Sequence, residues 1–258
     1  MTATTPFVLL LIALGVAASP LRAQVDIESL RRDGAPAGMS GSVGATLDVE
    51  TGNTELFEVE GTARLNWVRG AGQTLFIGEG GLGLLSEERF SSSALLHLRH
   101  MRWIEEWIAP EAYAQVNYDR SQLLDSRRLV GLGLRFRVTE GEWGGVGAGT
   151  SVMLEKEYLD LPADASHPAS TRTVRNSTFV TLRLLAGSQF AVSSTTYAQP
   201  AFADVGGDLR ILENLRANVS LTGQLALSVT FDLRYDSGPP DGTEALDTKL
   251  RTGLAFTF

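Results

Sequence analysis

The sequence predicts an all-β fold, an up-and-down antiparallel β-barrel of about twelve strands that crosses a membrane. Three observations predict it. Apolar and polar residues alternate with a period of two along most of the chain. Turn residues cut that alternation into segments longer than the five or six residues usual in soluble sheets. An apolar run near the N-terminus has the length of an export signal.

That run, Phe7 to Ala18, is too short to span a bilayer as a helix and is followed by small residues suited to cleavage after Ala18 or Ala23. Residues 1–23 are therefore expected to be a signal peptide, 24–37 a short periplasmic segment, and 38–258 the barrel. No other stretch approaches the 18 apolar residues of a transmembrane helix, which excludes a helical inner-membrane protein.

Strands are expected near 38–50, 54–67, 73–86, 92–104, 108–120, 126–139, 142–158, 172–187, 189–203, 206–221, 225–236 and 247–258. In the first, Met39, Val43, Leu47 and Val49 oppose Ser40, Ser42, Asp48 and Glu50. In the second, Phe57, Val59, Leu65 and Trp67 oppose Glu58, Glu60, Arg64 and Asn66. The sixth sets Val130, Leu132, Leu134, Phe136 and Val138 against Arg135 and Arg137, and the eighth sets Val180, Leu182 and Leu184 against Arg175, Thr181 and Arg183. The eleventh sets Leu225 to Tyr235 at odd positions against Asp232, Arg234 and Asp236, and the twelfth sets Leu250, Leu254, Phe256 and Phe258 against Lys249 and Arg251. Residues 92–104 and 189–203 fit either facing, and Glu213 interrupts an apolar row through Leu209, Ile211 and Leu215 that a bulge would explain.

Connection length supplies an independent test. With both termini in the periplasm, odd-numbered connections lie outside, and the two longest, around 159–171 and 237–246, are the seventh and eleventh. Short inner turns and longer outer loops are the habit of outer-membrane barrels. An arginine facing lipid at mid-bilayer would cost about 2–4 kcal/mol, so the charged rows are expected to line the lumen. A soluble β-sandwich also alternates, but neither the strand lengths nor the loop parity would follow from it. The alternating end through Leu254, Phe256 and Phe258 resembles the assembly signal of outer-membrane proteins, with the last strand expected to close against the first.

The ending YDSGPPDGTEALDTKLRTGLAFTF resembles that of the YdiY-like family, salt-induced outer-membrane proteins filed under a domain of unknown function. DVETGNTE (48–55), LHLRHMRW (96–103), RRLVGLGLRF (127–136), EKEY (155–158) and YAQPAF (197–202) support the resemblance, which runs over most of 38–258. It implies an outer-membrane barrel and an association with salt response, and it supplies no catalytic or binding residues.

The chemistry expected lies in the lumen, whose candidate residues are Glu58, Glu60, Arg64, Glu111, Arg135, Arg137, Arg175, Arg183, Arg216, Asp232, Arg234, Lys249 and Arg251, with Asp48, Asp119 and Asp236 beside them. Acidic residues dominate the early strands and arginines the middle ones. Two readings stay open: a narrow passive pore whose arginines favour small anionic solutes, or a closed barrel whose lumen is filled by ion pairs.

Other functions find little support. Net charge is −8, against nucleic acid as a partner. Cysteine is absent, so thiolate metal sites and cysteine nucleophiles are out. A lipid hydrolase would need a serine–histidine pair on the lipid-facing wall. His97 and His100 share a strand with Ser91 to Ser93, neither has a serine one or two places away, and a pair formed across strands is the alternative that stays open. GEGGLGLL (78–85) and GGVGAGTS (144–151) lack the helix and lysine of a phosphate loop. Asp236, Asp241 and Asp247 match no calcium spacing. The expected protein is thus a monomeric, non-enzymatic barrel with no metal or cofactor. Its expected partners are outer-membrane lipid and lipopolysaccharide and the barrel-assembly machinery.

Overall fold

A computed structural model describes residues 37–256 apart from 53–54, 188 and 223–224. The expected signal peptide, the segment 24–36 and Phe258 lie outside the described residues. Twelve strands follow one another: β1 (Gly38–Glu50), β2 (Leu56–Arg69), β3 (Gly72–Leu85), β4 (Glu88–Arg102), β5 (Ile108–Asp119), β6 (Leu124–Gly141), β7 (Gly144–Leu159), β8 (Ser170–Ala186), β9 (Phe190–Ala201), β10 (Asp204–Ser220), β11 (Leu225–Asp236) and β12 (Leu246–Phe256). They form one antiparallel sheet in sequence order, as the alternation predicts.

Strand lengths run from 11 residues in β12 to 18 in β6, enough to cross a bilayer at a tilt, which takes roughly 9–11. The long connections 160–169 and 237–245 share one end of the sheet, here the odd end, with the 3₁₀ turn Arg120–Gln122.

The sheet curls until strands far apart in order touch across its concave face. Arg175 of β8 reaches Asp208 of β10, and Arg210 of β10 reaches Glu155 and Glu157 of β7. At the seam, Lys249 of β12 and Glu58 of β2 lie close enough to act on one another electrostatically. Among the described residues, however, no ladder joins β12 to β1, and the expected closing pair is not seen. β1 is exposed on both faces over nearly its whole length, so its inward row does not share the packing that fills the lumen behind β4–β10.

The two faces differ as a membrane barrel requires. Outward residues such as Leu96, Leu98, Val130, Leu132, Val152 and Leu154 are at least half exposed. On the inward face Leu75, Ile77 and Leu95 form a small apolar core, and Arg135, Glu111 and Glu155 are buried as well. Trp67, Trp107 and Trp143 stand exposed in or beside the even-numbered connections, with Trp103 turned inward beside them, whereas Phe57, Tyr118, Tyr158 and Tyr235 mark the odd end. Aromatic girdles at two levels are what the two interfaces of a bilayer select.

The ambiguous segments resolve. In β4, Leu95, His97, Arg99 and Met101 point inward and are buried, while Leu96, Leu98 and His100 point outward. In β9, Thr195, Tyr197 and Gln199 point inward. The bulge expected at Glu213 is absent, because β10 runs in unbroken register with β9 from Leu209 to Val219; the shift lies earlier, between Asp204 and Leu209. Glu213 therefore faces outward, its carboxylate accepting hydrogen bonds from Ser194 Oγ at 2.7 Å and from Thr196 Oγ1.

Candidate functional site

The charged lumen separates into three regions. Nearest the odd end, β6, β7, β8 and β10 bring Arg127, Arg175 and Arg210 onto Glu155 and Glu157. Arg175 donates to Glu155 at 3.0 Å and forks onto both oxygens of Asp208 at 2.6 and 3.1 Å. Arg210 donates to Glu155 at 2.8 Å, to Glu157 at 3.0 Å and to Asp236 at 2.7 Å, and Arg127 pairs with Glu157. The side chains of Arg127, Arg175, Arg210, Glu155 and Glu157 are all under 10% exposed. Forked guanidinium–carboxylate pairs suit such burial, because each charge is met by a partner of fixed geometry.

Loops cover this cluster. Asp241 of the 237–245 loop accepts the His167 backbone N–H at 2.8 Å and the Ser166 hydroxyl at 2.9 Å, clasping the 160–169 loop. These bonds hold the Asp241 carboxyl below its ordinary range, the His167 N–H contributing most. Asp160 N–H also bonds Leu123 O at 2.8 Å, tying in the connection after β5. The void left beneath the loops, between Arg127, Arg210 and Arg234, is only about 30 Å³.

At mid-lumen, Arg135 bonds Glu111 at 3.1 Å and lies over the Phe179 ring at 4.7 Å, while Arg99 lies 3.7 Å from Glu111 and 5.2 Å from the centre of the Tyr113 ring. Tyr113 shares a hydrogen bond with Ser151 at 2.9 Å. Two glycines make this layer possible. A Cβ on Gly131 would stand 2.2 Å from the Tyr113 ring, and one on Gly149 would stand 2.3 Å from Phe179. The glycine-rich stretches of β6 and β7 thus admit rings into a narrow lumen.

Toward the even end a cavity of about 390 Å³ remains open, lined by Trp103, Arg135, Arg137, Thr181, Arg183 and Ser193 among others. Arg137 pairs with Glu140 at 3.1 Å and lies over Trp103 at 4.5 Å.

The remaining sequence candidates lie on the inward rows of their strands. Asp232 receives Arg251 at 2.8 Å and also Asn214; Arg234 pairs with Asp247 and Gln122; Arg216 donates to Asn214 at 3.2 Å. Glu58, Glu60 and Arg64 line the less crowded wall of β2, and Asp48 is opposite Glu58 in the ladder. Asp119 caps the 3₁₀ turn, accepting the Ser121 N–H at 3.0 Å.

The expectation of an acidic early half and an arginine track in the middle needs correction. Glu155 and Glu157 sit inside the arginine region and neutralise it. Arg127 and Arg210, not among the sequence candidates, are central to the cluster. The histidines fall on opposite walls, since positions three apart on a strand face opposite ways: His97 bonds Gln115 at 3.0 Å inside, and His100 bonds Thr74 at 2.9 Å outside. Asp236, Asp241 and Asp247 are each engaged elsewhere, and no metal-binding group of His, Asp and Glu occurs among the described residues.

Residues 43–258 match a family model described as "Protein of unknown function, DUF481". The chain belongs to this family. The match agrees with the resemblance to YdiY-like proteins and assigns no activity. A search among curated proteins gave no match. Among solved structures, the NanC porin is similar at a TM-score of 0.46 and 11% identity, covering 84% of this chain and 99% of the porin. The translocator domain of the autotransporter NalP from Neisseria meningitidis is similar at 0.42 and 12%, covering 88% and 90%. The CymD monoaromatic hydrocarbon channel is similar at 0.40 and 12%, covering 86% and 80%. These are likenesses of shape and say nothing of what this chain carries.

Proposed function

We propose that this protein is an outer-membrane barrel whose lumen is closed at rest by an arginine–carboxylate plug, and that it serves envelope integrity rather than free diffusion. The observation that carries this reading is the buried cluster of Arg127, Arg175 and Arg210 on Glu155, Glu157, Asp208 and Asp236, beneath two clasped loops. Exchanging such fixed partners for a passing ion would strand buried charges, a cost of several kcal/mol per ion. The outer-membrane address rests on the apolar outward wall, the two aromatic girdles and the longer loops at the odd end. The tie to salt or osmotic stress comes from the YdiY-like resemblance. The role is read as non-enzymatic: His97 faces the lumen, and the outward His100 is bonded to Thr74 rather than to a serine.

A second reading, a narrow passage for small anions, is favoured by the 390 Å³ cavity with Arg135, Arg137 and Arg183 on its wall. Liposome swelling separates the two. Vesicles holding the folded protein should swell in small sugars and anions no faster than empty vesicles, and faster swelling would favour the passage.

A further inference from the structure

The outward wall carries a basic row that the lumen does not explain. Arg128 of β6 is directly opposite Lys156 of β7, and Lys156 is directly opposite Arg172 of β8. All three side chains leave the convex face, Arg128 and Arg172 exposed and Lys156 half-buried. Like charges facing one another across strands destabilise a sheet unless something neutralises them. Among the described residues none of the three enters an ion pair, and the Arg128 guanidinium donates to the neighbouring Ser126 hydroxyl at 3.3 Å. Lys156 lies 4.5 Å and Arg128 5.9 Å from the centre of the Tyr158 ring. Arg172 also acts on Tyr158 electrostatically. Tyr158 belongs to the odd-end girdle, so the row stands at the level where a bilayer changes from acyl chain to headgroup.

We propose that Arg128, Lys156 and Arg172 form a binding site for the phosphate of an outer-leaflet lipid. The row spans two strand spacings, roughly 10 Å. That width lets two guanidinium forks and an ammonium converge on one phosphate, while Tyr158 packs against the lipid body. Charge complementarity chooses the occupant: three uncompensated cations at an interface select a phosphorylated headgroup, and the apolar wall below them, Val130, Leu132, Val152 and Leu154, receives its chains. The proposal rests on the outer-membrane reading of the wall.

The test is retention of phosphorylated lipid A by the full-length folded protein in mixed detergent micelles. Dephosphorylated lipid A and inorganic phosphate are the comparison probes, and folding is scored separately by the shift in electrophoretic mobility on boiling. The expected result is retention of the phosphorylated lipid alone, weakened about tenfold or more in R128Q/K156Q/R172Q and kept within about threefold in R128K/R172K. If the triple variant fails to fold, K156Q alone should still weaken retention severalfold. Equal retention of both lipids, equal retention by wild type and the neutral variants, or inorganic phosphate binding as tightly as the lipid would each overturn the site. None of those outcomes touches the mobility shift, whose absence would instead overturn the barrel.

Discussion

Tyr113 lies over Gly131, its ladder partner, so closely that a single added carbon would meet the ring at 2.2 Å. The ring is held there by Ser151, by the Arg99 guanidinium and by His97, whose ring is centred 6.0 Å away. G131A should therefore displace the ring, break the Tyr113–Ser151 bond and destabilise the folded barrel by about 1–3 kcal/mol. Urea unfolding in detergent, followed by tryptophan fluorescence, reads this directly. An unchanged midpoint would show that the lumen has room to spare.

Arg175 holds two carboxylates from two other strands, Glu155 and Asp208. R175A leaves Glu155 buried with one guanidinium fewer and should cost about 3–5 kcal/mol, whereas R175K should recover only part because an ammonium cannot fork. Replacing Arg251 of the edge strand β12, whose partner Asp232 is more than a third exposed, should cost under about 1 kcal/mol. Comparable losses at the two positions would refute the plug as a structural unit.

Glu213 faces outward between Ser194 and Thr196. If that wall meets lipid, E213L removes a carboxylate from an apolar setting and should raise unfolding stability, by up to about 2 kcal/mol. A soluble sheet would show no such gain. Folding yield into lipid vesicles gives a second readout of the same effect.

The clasp between Asp241 and the Ser166–His167 backbone is pH-dependent in a definite direction. The carboxyl's folded pKa lies below its unfolded value, so its contribution is fully present above about pH 4 and is lost as pH falls through the folded value. At neutral pH, D241N should imitate acidification. Hydrogen exchange at the His167 amide should show high protection in wild type and low protection in D241N, and equal protection would mean that the loops are held by other contacts.

Much of the fold was legible because a period of two is hard to produce otherwise: Leu225 to Tyr235 and Met39 to Val49 announced their faces without help from neighbours. Glu155 and Glu157 were harder. Their strand carries Lys156 and Tyr158 on the other face, so charge marks both sides near its outer end. Arg210 was within reach, because the row that puts Leu209 and Ile211 outside puts Arg210 inside. Glu213 suggested a bulge that the unbroken register rules out, since a carboxylate outside the barrel is satisfied by hydroxyls on the adjacent strand. What alternation cannot supply is pairing across the lumen. Arg210 and Glu155 are 55 residues apart and meet only because the sheet curls.

The closed lumen is tested most directly by single-channel recording of the refolded, heat-modifiable protein in a planar bilayer, with wild type and R175A side by side. The expected result is a silent wild type and discrete, anion-preferring steps when the plug is broken. Steady steps from wild type, weakened by replacing Arg135, Arg137 and Arg183, would contradict the plug and make the 390 Å³ cavity the mouth of a pore.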